Sequence, residues 1–289
     1  MSHEITSTPL AGIHATPGAG NYGVYDHGAH VWAWQPDGSA PVLWMSSHSG
    51  YATGTAIRGG IPVIFPWFGP GRGGTLSPAH GFVRARAWRR DEVLEDDDSL
   101  LVRYSVDETL TGSQQHFPFP YRAELSARFS AEALVVELTV TNSGTAEFSY
   151  EEALHTYLTI GDIAQVELTG LDKSRYLDKV LTQTGFDSRQ RGAISFTGET
   201  DRIYASKGAV TIVDPRLNRR VVVAKEGSAN TVIWNPGQHK ADAMRDMGPG
   251  QWRTMVCIEA ANVLGDAVVL APGASHTMTQ RISVEPLAE

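Results

Sequence analysis

The sequence is poor in cysteine: Cys257 is the single one among 289 residues. One cysteine excludes an intramolecular disulfide and a zinc site built from several thiolates, and it agrees with a reducing compartment. Residues 1–20 lack the basic and apolar pattern of a secretory leader, and no apolar run is long enough to cross a bilayer. We therefore expect a cytoplasmic protein without a membrane partner.

Positive charge is also scarce. The chain has 24 Lys and Arg against 32 Asp and Glu, a formal net charge of −8. This balance argues against the broad basic face that nucleic-acid binding needs, so we expect no nucleic-acid partner. If the protein holds an anion, a local group of arginines must hold it. With 42% hydrophobic and 19% charged residues, the composition is that of an ordinary globular protein, for which we expect a monomer.

Long stretches of helical periodicity are missing, and short strands separated by Gly, Pro, Asn or Asp predominate. The strongest alternation runs from Tyr121 to Val140 and predicts a β-hairpin. One short helix is predicted from Lys240 to Met247. With no linker or repeat, the pattern predicts one domain over residues 1–289, an all-β fold with a large antiparallel β-sandwich and few short helices. The other predicted strands are 30–34, 42–45, 100–106, 210–213, 220–223, 231–234 and 255–259.

Four segments combine polar residues with glycine, proline and aromatic residues, and they are spread along the chain. The segments are Arg58-Gly59-Gly60-Ile61-Pro62 continuing to Phe65-Pro66-Trp67-Phe68-Gly69, His80-Gly81-Phe82-Val83-Arg84, Leu154-His155-Thr156-Tyr157, and Cys257-Ile258-Glu259-Ala260. In this order they resemble the aldose 1-epimerase superfamily, and the first two are similar to its hexose-6-phosphate mutarotase branch. The resemblance begins near residue 20 and extends to the C-terminus, and it implies a galactose mutarotase-like supersandwich.

Interconversion of pyranose anomers needs one base at the C1 hydroxyl and one acid at the ring oxygen, but no metal or other cofactor. The resemblance assigns the base to Glu259 and the acid to His155. Strand alternation places Glu259 with Cys257 and Met255 at the end of an apolar strand, where burial would favour its protonated form. His155 is expected on a central strand, sharing a face with Tyr157. We expect the two groups to face each other across a groove wide enough for one pyranose.

The resemblance also implies substrate-binding residues. His80 matches a histidine that hydrogen-bonds the sugar, and Asp201 matches a loop aspartate that touches sugar hydroxyls. Arg58 and Arg84 occupy the positions that the phosphosugar branch uses for phosphate, since a guanidinium grips a phosphate with two parallel hydrogen bonds. Arg86 would lie on the same face as Arg84 if that strand continued. Gly59 and Gly60 would allow close approach of the backbone to a ligand.

Aromatic residues offer a possible platform for the apolar face of a pyranose. Trp67, Phe68 and Tyr157 are the candidates, although an aromatic residue of a sandwich more often belongs to the core. Asn235 ends a predicted strand with turn chemistry and is a further candidate to line the cleft.

Several functions remain open from sequence alone. The favoured one is a hexose-6-phosphate mutarotase acting on a small sugar phosphate. The alternatives are an aldose 1-epimerase for free sugars, a non-catalytic carbohydrate-binding or regulatory protein on the same scaffold, and a glycosidase using Asp201 and Glu259 as paired carboxylates. A metal-dependent sandwich is disfavoured because no His-x-His plus Glu cluster is present. The preferred hexose is not readable.

Overall fold

The computed structural model describes residues 2–4, 10–182 and 184–287. These residues form 22 β-strands, two short α-helices and four 3₁₀ helices. The α-helices are α1 (Glu108–Thr111) and α2 (Gly237–Ala243), and the 3₁₀ helices are Pro17–Ala19, Val83–Ala85, Gln251–Thr254 and Leu264–Asp266. The strands are β1 (His3–Glu4), β2 (Gly12–Ala15), β3 (Asn21–Tyr25), β4 (His30–Gln35), β5 (Val63–Ile64), β6 (Arg89–Glu95), β7 (Leu100–Asp107), β8 (Tyr121–Phe129), β9 (Leu134–Asn142), β10 (Phe148–Tyr150), β11 (Glu152–Leu154), β12 (Tyr157–Thr159), β13 (Glu167–Thr169), β14 (Arg175–Asp178), β15 (Ser188–Arg189), β16 (Thr200–Ala205), β17 (Val210–Asp214), β18 (Arg219–Glu226), β19 (Asn230–Asn235), β20 (Met255–Asn262), β21 (Val268–Leu270) and β22 (Ser275–Pro286).

Two eight-stranded antiparallel sheets dominate the fold. The front sheet has the order β15-β14-β16-β19-β20-β11-β5, with β12 also paired to β20, and the back sheet has the order β13-β17-β18-β22-β9-β8-β7-β6. A four-stranded sheet, β1 to β4, and the pair β10 and β21 complete it. The predicted all-β antiparallel sandwich with few short helices is confirmed.

The main core lies between the front and back sheets. Val256, Ile258 and Ala260 of β20 pack in one cluster with back-sheet residues such as Leu138 and Ile282. Because side chains alternate along a strand, the neighbours of these residues must point to the other face of the front sheet. Met255, Cys257 and Ala261 do so and belong to separate, smaller clusters. Glu259 shares this second face, which the back sheet does not cover.

The strongest periodic signals of the sequence are confirmed. The predicted hairpin is β8 and β9, paired from Tyr121 opposite Asn142 to Phe129 opposite Leu134. The strands predicted at 30–34, 100–106, 210–213, 220–223, 231–234 and 255–259 are also present, each extended by one to four residues.

Two predicted elements are wrong. Residues 42–45 form no strand and make only isolated bridges, Leu43 to Leu158 and Met45 to Gly59. The helix begins at Gly237 instead of Lys240, because the Asn235 side chain accepts a hydrogen bond from the Gly237 amide and starts the turn directly after β19. It ends at Ala243, before the buried Met247. Helix α1, four residues capped by the Asp107 carboxylate, was not predicted.

Candidate active site

Glu259 lies in the middle of β20, because this strand continues to Asn262. The expectation that it ends the strand is therefore wrong. On β19, Val232 lies opposite Glu259, and on the other side β11 pairs with the next residues, Leu154 opposite Ala260, so that flanking strands leave the carboxyl group little solvent. The residue is 1% exposed. The predicted burial of this carboxyl group is confirmed.

His155 does not lie on a strand. It occupies the gap between β11 and β12, where its backbone amide donates to the Pro62 carbonyl at 3.0 Å. The expected face is nevertheless correct, since the ring stacks on Tyr157 with centroids 4.9 Å apart and planes 13° apart. Trp234 of β19 contacts the same ring edge-on. These flat neighbours hold the imidazole in one orientation next to β20.

The two groups are direct neighbours. Nε2 of His155 lies 3.4 Å from Oε1 of Glu259. The expectation of a groove between them, wide enough for a pyranose, is thus wrong, because this separation leaves no room for a sugar ring. Both side chains line a cleft of about 340 Å³, so a sugar has to lie over the pair.

Burial governs the protonation of the pair. It raises the pKa of Glu259 well above its usual value, and the negative charge of Asp201 raises it further. Burial also lowers the pKa of His155 well below its usual value, with smaller contributions from His80, Arg84 and Arg58. In the described part of the chain, Oε2 of Glu259 and Nδ1 of His155 have no hydrogen-bond partner. Both atoms are also buried.

His80 lies beside His155 in the cleft, with ring centroids 5.7 Å apart. It has a left-handed backbone with φ of +66°, which is uncommon outside glycine and points to a constrained position. Its Nδ1 accepts from the Gly69 amide at 3.3 Å. Burial, followed by the charges of Arg84 and Lys179, lowers its pKa to about 3. The ring is thus neutral, with its proton on Nε2 as a hydrogen-bond donor.

Arg58 lies at the edge of the cleft, and its guanidinium is already engaged. Nε and Nη2 lie 3.0 and 2.9 Å from Oδ2 of Asp246, and Nη1 donates to the Tyr157 hydroxyl at 2.7 Å. Together these contacts outweigh burial and raise the arginine's pKa. Tyr157 is buried beneath His155, so it supports the site from below and offers no stacking face to a sugar.

The glycines after Arg58 serve packing within the protein. A Cβ on Gly59 would lie 2.5 Å from the Trp44 carbonyl oxygen, and one on Gly60 would lie 2.3 Å from the Val31 carbonyl oxygen. The expectation that they admit a ligand is therefore wrong: they admit neighbouring backbone. Because neither glycine carries a side chain, the segment after Arg58 can pass close to the backbone of Trp44 and Val31.

Arg84 is in the 3₁₀ helix Val83–Ala85, and its Nη2 donates to the Ala79 carbonyl at 2.8 Å. Burial, with the positive charge of Arg58 as a smaller contribution, lowers its pKa to about 10. It remains charged near neutral pH, and although it does not line the cleft, its charge lowers the pKa of His80 there. Arg86 follows a helical turn, so the continuing strand assumed for it is absent, and its side chain is exposed and does not line the cleft.

Asp201 lies on strand β16, so its expected place on a loop is wrong. It lines the cleft, mostly buried, and forms an ion pair with Lys179 at 3.1 Å. Lys179 also lies over the Phe68 ring, 5.4 Å from its centroid. Phe68, predicted as part of a platform for the sugar, lies in the lining of the cleft.

Two candidates lie outside the cleft. Trp67 is buried in the main core and donates from Nε1 to the Pro78 carbonyl. Asn235 is fully buried, and its amide donates to the Trp252 and Met255 carbonyls. Both residues are structural, in agreement with the general preference of aromatic residues for the core and of asparagine for turns.

Sequence reasoning missed four residues of this region: Lys179, Lys240, Met244 and Asp246. The first three line the cleft, and Asp246 pairs with Arg58. Lys240 is tied to Glu199 at 2.6 Å. They lie on a loop and in or beside the predicted short helix, outside any motif, and for Asp246 the available signal was Arg58, a cation that needs a counter-charge.

Comparison with known proteins agrees with this geometry. The aldose 1-epimerase family model matches residues 15–283. The chain belongs to the aldose 1-epimerase family. It is 37% identical over 240 residues to an Escherichia coli protein named "Putative glucose-6-phosphate 1-epimerase", covering 81% of this chain and 77% of that protein. A Salmonella typhimurium protein of the same name is 35% identical over 237 residues, or 80% and 76% of the two chains.

Solved structures of this family share the fold. A crystal structure described as a "putative mutarotase" from Salmonella typhimurium superposes with a TM-score of 0.88 at 29% identity, covering 99% of this chain and 94% of that one. A galactose mutarotase-like protein from Clostridium acetobutylicum gives 0.73 at 15% identity, with 99% of each chain covered. The family recognised from the four motifs is thereby confirmed. No helix in the described residues is long and apolar enough to span a membrane.

Proposed function

We propose that this aldose 1-epimerase family member is a hexose-6-phosphate mutarotase that interconverts α and β anomers, with glucose 6-phosphate as a substrate. The carrying observation is the buried His155 and Glu259 pair at the cleft, with Arg58 in its lining and Arg84 close enough to lower the pKa of His80. The relatives named as glucose-6-phosphate 1-epimerases support the choice of a phosphorylated sugar.

The reaction uses the two groups as base and acid. The Glu259 carboxylate removes the proton of the C1 hydroxyl, and the electron pair of that oxygen forms the C1 carbonyl. The bond from C1 to the ring oxygen breaks, and the ring oxygen takes a proton from the His155 imidazolium. Both oxygens are attached to the same carbon, so two groups only 3.4 Å apart can serve them. Rotation about C1–C2 and the reverse steps close the other anomer.

The pKa directions define the working proton count. A raised pKa for Glu259 and a lowered pKa for His155 favour a state with one proton on the pair. Carboxylic acid with neutral imidazole, and carboxylate with imidazolium, are two arrangements of that proton. The second is the reactive one, and the attraction of its opposite charges over 3.4 Å offsets part of its desolvation cost. Each turnover returns the proton to where it started.

The other cleft residues supply binding. Neutral His80 donates a hydrogen bond from Nε2, Asp201 and Lys179 offer an acceptor and a donor for hydroxyl groups, and Phe68 offers an apolar face. Arg84 keeps its charge in a largely desolvated place, and its remaining donors suit a phosphate. Phosphate binding there would place the sugar's far end at the arginines and its C1 over the acid–base pair.

The test is an anomer-exchange assay by NMR or polarimetry on freshly dissolved α-glucose 6-phosphate and α-glucose, side by side. We expect acceleration above the spontaneous rate, with a higher kcat/KM for the phosphate. Glu259→Gln should lower kcat by about 10²- to 10⁴-fold on both sugars, the usual contribution of one acid or base. A protein that accelerates neither exchange would rule the proposal out.

Arg84→Gln tests the phosphate assignment in the same assay. We expect KM for glucose 6-phosphate to rise by about 10- to 100-fold, as for loss of a charge-assisted hydrogen bond, with exchange of free glucose little changed. The matched control is Arg86→Gln, which removes the same charge from an exposed position two residues away. An equal loss on both sugars in the Arg84 variant contradicts its role at the phosphate.

A further inference from the structure

The guanidinium of Arg58 faces an anion that belongs to the protein. Nε and Nη2 both contact Oδ2 of Asp246, so the carboxylate occupies one of the two-donor edges that a phosphate would use. Nη1 donates to the Tyr157 hydroxyl. Of the five N–H donors of an arginine, these contacts use three. A phosphate can reach the remaining donors only within a few ångströms of the Asp246 carboxylate.

The backbone at Asp246 is held close to that of Arg58. It lies between helix α2 and the 3₁₀ helix Gln251–Thr254, next to Met247, whose side chain is 4% exposed. The amide of Gly248 donates to Ser46 Oγ at 3.4 Å and to Gln251 Oε1 at 3.1 Å. The Ser46 amide in turn donates to the Arg58 carbonyl at 3.1 Å. The backbone segments that carry the two charges are therefore fastened to each other through Ser46.

We propose that Asp246 is a specificity-determining residue that competes with the substrate's phosphate for Arg58 and so limits the affinity for phosphorylated sugars. The inference rests on the proposed function, because it concerns the phosphate end of the same cleft. The physical basis is the repulsion between two anions, the Asp246 carboxylate and the substrate's phosphate, that both contact the Arg58 guanidinium. The repulsion is moderate, because the Asp246 side chain is 39% exposed and water screens it.

The position of Asp246 and Arg58 at the phosphate end determines whether the loss of the Asp246 charge changes KM or kcat. The phosphate end of a hexose 6-phosphate does not change between anomers or in the opened sugar. Repulsion from Asp246 therefore acts equally on ground state and transition state, so its removal lowers KM and leaves kcat unchanged. A neutral sugar carries no charge for Asp246 to repel, and its kinetics stay the same.

The test compares the full-length wild-type protein with Asp246→Asn and Asp242→Asn. Asn has nearly the shape of Asp without its charge, and Asp242 is an exposed acid of helix α2 that loses the same charge away from Arg58. Binding of inorganic phosphate is measured by isothermal titration calorimetry. We expect Asp246→Asn to bind phosphate about three- to tenfold more tightly than wild type, as expected for one partly exposed charge pair, and Asp242→Asn to match wild type.

Kinetics add a second readout: KM for glucose 6-phosphate should fall by a similar factor in Asp246→Asn, at constant kcat. Unchanged or weaker phosphate binding in this variant overturns the inference, the weaker case meaning that Asp246 positions Arg58 for the anion. Equal tightening in Asp242→Asn also overturns it, since the effect is then one of net charge. If wild type shows no exchange activity, the proposed function fails, while the phosphate titration still decides the role of Asp246.

Discussion

The pair formed by His155 and Glu259 holds two of the nine buried side-chain polar atoms that have no hydrogen-bond partner in the described part of the structure. Buried polar atoms are normally paired, and an unpaired one costs about 1–3 kcal/mol. The protein tolerates two of them side by side, which is the pattern of a site that its ligand completes. A sugar over the pair can hydrogen-bond both groups with its own hydroxyl and ring oxygens.

We expect the rate of exchange to depend on pH through this pair. The rate is measured with free glucose because this sugar does not titrate near neutrality. The pair works with one proton. A second proton would go to His155, whose pKa is lowered, so the acid limb of kcat should lie well below pH 6.5. The single proton is lost from Glu259, whose pKa is raised well above 4.5. The alkaline limb should therefore lie well above pH 4.5, and both limbs are macroscopic properties of the pair.

The neighbouring histidine does not disturb this profile, because His80, with a pKa of about 3, stays neutral over the range. A kcat that instead changes with a midpoint near 6.5, the value of an ordinary histidine, would mean that His155 is not buried against Glu259 during turnover.

Which site residues the sequence could predict depended on local context. Glu259 and Arg58 lie in short motifs whose neighbours have fixed geometry, such as alternating β20 and the glycine pair after Arg58. Lys179 and Asp246 have no such context. They reach the site only because β14 pairs with β16 and because helix α2 packs near the 3₁₀ helix before β20. These are long-range pairings that local patterns do not encode.

At the level of elements, the loop that carries Phe68 in the cleft lining is held by a buried carboxylate outside the cleft, that of Glu151. Glu151, 3% exposed, accepts from the Phe68 amide at 3.0 Å with Oε2 and from the Leu264 amide at 2.7 Å with Oε1. It thereby joins the loop that carries Phe68 and Gly69 to the residues just after β20. Since β20 carries Glu259, the Glu151 carboxylate fixes the position of the Phe68 loop relative to Glu259.

We therefore predict that Glu151→Gln destabilises the protein by about 1–3 kcal/mol, because the new NH₂ group faces an amide donor and leaves both unpaired. KM for sugars should rise as the Phe68 loop loosens. Thermal unfolding and the exchange assay measure the two effects. The control, Glu147→Gln, changes an exposed glutamate four residues away and should alter neither the stability nor KM. An unchanged melting temperature in Glu151→Gln would show that the link is dispensable.

Elements were predictable where they were long. The hairpin of β8 and β9 has nine residues in each strand, enough alternation to mark both face and register. Strands β11 and β12 have only three residues each, and a stretch from Glu152 to Thr159 looks continuous in sequence. The break at His155 arises because its amide bonds to Pro62, and that of Ile258 to the Thr156 carbonyl, contacts that no local pattern reveals.

On the scale of the whole molecule, the sandwich separates stability from function by face. The side of the front sheet that meets the back sheet is apolar and includes Val256 and Ile258, while the opposite side holds the acid–base pair. The net charge of −8 is offset locally, because Arg58, Lys179 and Lys240 line the cleft and Arg84 lies near it. The first three cations are paired with Asp246, Asp201 and Glu199, so the attraction of an anionic substrate depends mainly on Arg84.

The cost of burying Glu259 should be visible in the stability of the entire fold. Above pH 4.5 its carboxyl group ionises in the unfolded chain but stays protonated in the folded one until the raised pKa is reached. The unfolded state then binds fewer protons, so wild-type stability falls as pH rises, by about 1.4 kcal/mol per unit of pKa difference. Glu259→Gln has no such loss.

We accordingly predict that the melting temperature of Glu259→Gln relative to wild type increases from pH 5 to pH 8. The lowered pKa of His155 acts in the opposite direction, below pH 6.5, and is present in both proteins, so the difference isolates Glu259 to first order. Glu167→Gln, at an exposed position of β13, should follow wild type at every pH. A Glu259→Gln difference that stays constant with pH would mean that Glu259 ionises in the folded protein as freely as in the unfolded chain, and the proton-sharing pair would have to be abandoned.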